Sequence, residues 1–133
     1  MGPRCYRSAV LADAEIVAFT ATTDLDRARG FYADVLGLEL VEQTEFACVF
    51  EANGTTLRVN RVEEVPTPGY TVLGWYVGDI TDTARQLTER GVTFLRPDGI
   101  EQDEHGVWTA PGGARVAWFP DPDGNVLSLT EFF

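Results

Sequence analysis

Asp24-Leu-Asp-Arg-Ala-Arg-Gly-Phe-Tyr-Ala-Asp-Val-Leu-Gly-Leu-Glu-Leu40 reads as a helix that stops at a glycine and passes into a strand. Asp79-Ile-Thr-Asp-Thr-Ala-Arg-Gln-Leu-Thr-Glu-Arg-Gly-Val-Thr-Phe-Leu95 follows the same plan. An aspartate opens each segment, where its carboxylate can cap free backbone N–H groups. A glycine, Gly37 or Gly91, closes each. The Asp-to-Gly distance is one residue longer in the first copy, so the repeat is approximate. A period of about 55 residues points to paired supersecondary units that bury their faces against each other. A twinned unit leaves a cavity at its centre, and strand alternation reads out the lining.

Working outward, Ala14–Ala21 has the β-branched and aromatic content of a strand. The first helix runs to about Leu36, with Leu25, Ala28, Phe31, Tyr32, Val35 and Leu36 at helical spacing. Gly30 within it costs ~1 kcal/mol relative to alanine. It marks either close packing against a sheet or simple tolerance. Leu38–Glu42 and Phe46–Glu51 read as strands. Asn53-Gly54 predicts a tight hairpin turn, which sets Phe50 opposite Leu57 and Cys48 opposite Val59 on an apolar face. The other face carries Ala47, Val49, Glu51, Thr56, Arg58 and Asn60, a mixture suited to a ligand cup. Glu51 and Arg58 share that face, where they would either pair across the strands or leave Arg58 for an anionic ligand group.

Residues 62–69, with Pro66 and Pro68, form a linker between module one (about 14–65) and module two (about 70–133). Tyr70–Val77 is a strand, Thr81–Arg90 a helix and Val92–Arg96 a strand. Residues 97–113 are mostly loop, with one short strand around Gly106–Trp108. Arg115–Phe119 and Val126–Glu131 are strands. Each half therefore runs strand, helix, three strands. The fold class is α+β: two βαβββ modules forming a cupped mixed sheet with the helices outside. Residues 1–13 lack periodicity and read as a loose leader.

At 133 residues the chain has the size of one domain, 1–133, and its 44% hydrophobic content is ordinary for a soluble protein. No apolar run approaches the ~20 residues of a membrane span, and no signal-peptide pattern opens the chain. A cytoplasmic protein without a membrane partner is expected. Cys5 and Cys48 are too few to argue a disulfide or zinc site. The net charge of −11 argues against nucleic acid. It would draw in cationic ligands, or serve only solubility.

Asp24-Leu-Asp-Arg-Ala-Arg-Gly-Phe-Tyr…Val-Leu-Gly-Leu38 and Phe119-Pro-Asp-Pro-Asp-Gly-Asn-Val-Leu-Ser-Leu129 resemble the vicinal oxygen chelate superfamily over about residues 14–133. That superfamily holds glyoxalase I, extradiol dioxygenases, fosfomycin-resistance enzymes and bleomycin-binding resistance proteins. The resemblance implies two βαβββ modules around a central site and a homodimer. It also implies four metal positions, one on the first and last strand of each module. These fall at Val17, at about Arg58, at Val72 and at Ser128. Metalloenzymes of the family carry His or Glu there, and this chain departs at all four. Its one histidine, His105, lies in the long loop. No metal and no cofactor is expected.

Asp121 and Asp123 in the Pro-Asp-Pro-Asp-Gly-Asn turn read as structural, bonding local backbone. Phe19, Tyr76, Trp108 and Trp118 are candidates for a stacking pocket, with Trp108 on a mobile loop. The candidate ligand-binding set is Val17, Phe19, Val49, Glu51, Arg58, Asn60, Val72, Tyr76, Trp108, Trp118 and Ser128. The expected function is metal-independent sequestration of a planar small molecule, of the drug-resistance type. A planar cation would suit the net charge; an acidic metabolite would suit Arg58. The alternative is a lyase, isomerase or hydrolase, with only Glu51, Arg58, Tyr76 and His105 as acid–base groups. A third reading is a structural or regulatory protein that kept the fold without the site.

Overall fold

The computed structural model describes residues 10–132. Most of the expected leader, with Cys5, lies outside the described residues. Module one contains β1 (Val17–Thr22), α1 (Leu25–Arg29), a π-helical continuation (Gly30–Val35), β2 (Glu39–Gln43), β3 (Ala47–Ala52) and β4 (Thr55–Arg61). Module two contains β5 (Thr71–Tyr76), α2 (Ile80–Glu89), β6 (Trp108–Thr109), β7 (Arg115–Pro120) and β8 (Val126–Glu131).

The repeat is physical. Asp24 caps α1 by accepting from Arg27 N at 3.1 Å, and Asp79 caps α2 by accepting from Asp82 N at 3.0 Å. Each such cap stabilises a helix by about 1 kcal/mol. Gly37 and Gly91 take φ of 81° and 96°, a region closed to most side chains.

The sheets repeat as well. Their strand orders are β1-β4-β3-β2 and β5-β8-β7-β6. In each, the first and last strands of the module pair in parallel and the rest are antiparallel. The two four-stranded sheets meet where β1 lies against β5. The hairpin forms in the expected register, Phe50 with Leu57 and Cys48 with Val59, around Asn53 and Gly54 at positive φ.

Three expectations change. The first helix widens into a π-helix at Gly30, and Leu36 N reaches back five residues to Phe31 O at 2.9 Å. A Cβ on Gly30 would meet nothing within 4 Å, so close packing does not explain that glycine. The wider turn lets two adjacent residues point inward. Phe31 meets Phe119 of module two at 6.5 Å, and Tyr32 is fully buried.

Second, the strand expected at Val92–Arg96 does not form. Val92 and Phe94 are buried, but only Leu95 N bonds to β7, at Trp118 O. Trp108 and Thr109 take the Val116–Arg115 stretch of β7, and the Gln102 side chain takes Leu95 O. Third, β1 begins at Val17 and not at Ala14.

One buried cluster includes residues of both modules, among them Tyr32, Phe50, Leu57, Ile80, Phe119 and Leu127. The turn after β7 adds a polar clamp. Asp121 accepts from Tyr32 Oη at 2.7 Å, from Asn125 Nδ2, and from the backbone N–H of Asp123 and Asn125, the last three at 2.9 Å. Burial, and then the Asp121 carboxylate beside it, push the Tyr32 phenol far above its ordinary pKa, so it stays a donor. Asn125 also donates to Ala21 O.

Asp123 crosses to module one. It accepts from Thr22 Oγ1 at 2.5 Å, from Thr23 N and Oγ1 at 3.0 Å, and from the Arg27 guanidinium at 2.6 Å. Burial alone would raise its pKa. The hydrogen bonds and the Arg27 charge outweigh burial and hold it below the usual carboxylate value. Asp121 thus bonds local backbone as expected, whereas the Asp123 carboxylate bonds only Thr22, Thr23 and Arg27 among the described residues, and both aspartates tie the modules together.

Candidate functional site

Alternation sorts each sheet into a core face and an outer face. In module one Cys48, Phe50, Leu57 and Val59 are buried, while Val49, Glu51, Thr56, Arg58 and Asn60 are half-buried on the other side. Ala47, expected among the latter, is fully buried. In module two Ala117, Phe119, Leu127 and Leu129 are buried, and Trp118 lies on the opposite side.

Cross-strand register then sets the outer residues in rows. One row is Val49–Arg58–Phe19 in module one, and another is Trp118–Ser128–Gly74 in module two. The sheets that carry them touch at the β1–β5 junction, where a small cavity is lined by Ala18, Leu57, Leu73, Gly74 and Trp75 among others. A flanking row in module two runs Trp108–Val116–Thr130–Tyr76.

Most of the expected site residues therefore share one face. Phe19 and Tyr76 are 56% and 70% exposed, a large apolar surface for two aromatic rings. Val17 is exposed beside them. Tyr76 packs edge-on against Phe132 at 5.3 Å, a partner that alternation in β5 does not reveal. Trp108 stacks on Trp118 at 5.9 Å and 29°. The loop carrying Trp108 is held by Arg96, which donates to Asp103 O and Glu104 O, and by Asp103 Oδ1, which accepts from His105 N and Val107 N.

Val72 is set apart from these rows. It is half-buried and packs on the core cluster beside a bulge between Thr71 and Leu73.

Three polar groups define the chemistry. Glu51 is opposite Thr56, and its carboxylate accepts from Gly54 N in the hairpin turn. It does not pair with Arg58. Arg58 sits half-buried between Val49 and Phe19 with no hydrogen bond or ion pair to any described residue. Every other described arginine except the exposed Arg61 has a partner. Ser128 is 8% exposed, and its hydroxyl likewise has no partner among the described residues.

The acid–base groups are not assembled. Glu51 is committed to its turn, and His105 lies beside Glu104 at 3.7 Å in the 97–113 loop.

The metal positions implied by resemblance hold an alkyl, a guanidinium, an alkyl and a hydroxyl group. Among the described residues no three His, Cys, Asp or Glu side chains come together. This donor set does not fit a divalent ion. On the helix side, an apolar cavity of about 220 Å³ is lined by Leu36, Leu38, Trp75, Leu87, Phe119 and Leu129 among others. Thr83 and Tyr76 also line it, and the Thr83 hydroxyl already donates to Asp79 O.

Two βαβββ modules with an aromatic, polar outer face define a class, and comparison with known proteins agrees. Residues 16–129 match the family described as Glyoxalase/Bleomycin resistance protein/Dioxygenase superfamily. The chain belongs to that superfamily.

Among solved structures, it is similar to a member of the same superfamily from Sphaerobacter thermophilus, with 28% identity and a TM-score of 0.68 over 89% of this chain and 96% of that one. A glyoxalase/bleomycin resistance protein/dioxygenase from Alicyclobacillus acidocaldarius matches at 19% identity and TM-score 0.69, over 91% and 92% of the two chains. A lactoylglutathione lyase from Agrobacterium tumefaciens matches at 21% identity and TM-score 0.66, over 90% and 93%. The last two show the shared fold.

Proposed function

We propose that this chain is a metal-independent binding protein that sequesters a small planar molecule bearing an acid group. The outer face formed by Phe19, Arg58, Tyr76, Trp118 and Ser128 is the site. Arg58 is the observation that carries this reading. Arg58 is half-buried and has no hydrogen bond or ion pair to any described residue, so its guanidinium is available for the paired hydrogen bonds of a carboxylate or similar planar anion.

The net charge of −11 opposes an anion at long range. That field is screened beyond ~10 Å at 0.1 M salt. A charge-assisted contact is worth about 1.5–3 kcal/mol at short range. The contact wins once the ligand has arrived, so raising salt should speed association while leaving ring stacking intact. Rings would lie against the exposed faces of Phe19 and Tyr76. Tryptophan fluorescence titrated with naphthoate and with a planar quinolinium cation tests the sign. Naphthoate is expected to bind more tightly; tighter binding of the cation would reject an acid ligand.

We also place the protein in the cytoplasm as a homodimer. No helix among the described residues is long and apolar enough to cross a membrane. The edge strand β2 exposes Val41, and Phe46 is exposed just after it, surface that a second copy of the chain would cover. Sedimentation at micromolar concentration should give the mass of two chains. A single-chain mass there would contradict the pairing.

A further inference from the structure

Gly74, Ser128 and Trp118 are neighbours in one row of module two. A Cβ built on Gly74 would lie 2.6 Å from Ser128 Oγ, closer than real side chains approach. The missing side chain therefore leaves a notch over the hydroxyl. Ser128 is 92% removed from solvent, yet its hydroxyl makes no hydrogen bond to any described residue. Its oxygen is not itself buried, since Thr20 Oγ1 is the one fully buried side-chain polar atom without a partner among the described residues; the Ser128 hydroxyl meets solvent through the notch, where a ligand atom could take the place of water.

We infer that the Gly74–Ser128 notch is a hydrogen-bonding subsite, and that the ligand is an aromatic acid with a hydroxyl or oxo group on the edge away from its acid. This rests on the planar-acid reading above and makes it more specific. Arg58 and Ser128 lie on opposite sides of the β1–β5 junction. They stand on β4 and β8, with β1 and β5 between them, and the two sheets touch at β1 and β5. The acid would meet Arg58, and the far oxygen would exchange a hydrogen bond with Ser128 Oγ. The serine can act as donor or acceptor, so it serves either oxygen type.

Two probes, naphthoate and hydroxynaphthoate, separate this inference from the reading beneath it. In the unmodified protein the hydroxylated probe should bind about fivefold more tightly, the value of one net hydrogen bond. Ser128→Ala should abolish that preference while still binding naphthoate. Gly74→Ala should weaken both probes by displacing the hydroxyl into the cup. An equal preference in Ser128→Ala and the unmodified protein would overturn the subsite but leave the acid site standing. If neither probe binds the unmodified protein, both readings fall.

A ligand-free readout is independent of the probes. Ser128→Ala removes a hydroxyl that bonds no described residue, so its melting temperature should match or exceed that of the parent. A clear fall would mean that the hydroxyl serves the fold, and would also overturn the subsite.

Discussion

Replacing Asp121 with alanine should lower folding stability by about 3–5 kcal/mol, a large effect for one turn residue but one that follows from its burial. Four donors lose their acceptor at once: Tyr32 Oη, Asn125 Nδ2 and the N–H groups of Asp123 and Asn125. Tyr32 is fully buried, so its hydroxyl cannot turn to water. Tyr32→Phe removes only one bond and leaves Asp121 three donors; about 1–2 kcal/mol is expected. Urea unfolding of the two variants checks the order. A loss below about 1 kcal/mol for Asp121→Ala would show that the clamp is incidental.

Asp123 gives the clamp a pH signature. Its folded pKa lies below the unfolded value, so its contribution is present above about pH 4 and fades as pH falls through the folded pKa. Asp123→Asn should therefore cost most near neutrality and little in acid.

Arg58→Ala should weaken naphthoate binding roughly ten- to hundredfold, the value of a charge-assisted pair of about 1.5–3 kcal/mol. The quinolinium cation should bind the same variant slightly better, because a repelling charge has gone. Arg58→Lys should recover little, since an ammonium does not reproduce the planar fork. Fluorescence titration of the three proteins gives all these values. Unchanged naphthoate affinity in Arg58→Ala would remove the main support for an acid ligand.

Much of this architecture was legible in the sequence because it rests on local rules. Asp24 and Asp79 announce caps, Gly37 and Gly91 announce helix ends, and Asn53-Gly54 fixes the hairpin register, which in turn assigns Arg58 and Val49 to one face. The misses come from tertiary competition. Val92–Arg96 alternates like a strand, but only Leu95 N reaches β7, at Trp118 O, while the Gln102 side chain takes Leu95 O and β6 takes the Arg115–Val116 end of β7. A bulge beside Leu73 sets Val72 off the row that simple alternation assigned it. Asp123 reaches residues about a hundred positions away, and no local pattern encodes that partner. For the site, sequence alone placed Glu51 and Arg58 together but could not tell that the carboxylate turns to Gly54 and leaves the guanidinium alone. That difference moves the proposed ligand from a cation to an acid.

The central claim is that the cup binds a planar acid without a metal. Calorimetric titration of naphthoate into chelator-treated protein, with elemental analysis of the same sample, tests it most directly. The expected result is saturable binding of one naphthoate per chain in protein free of zinc, nickel and iron. Binding that disappears with the metal and returns only when the metal is restored would contradict the account.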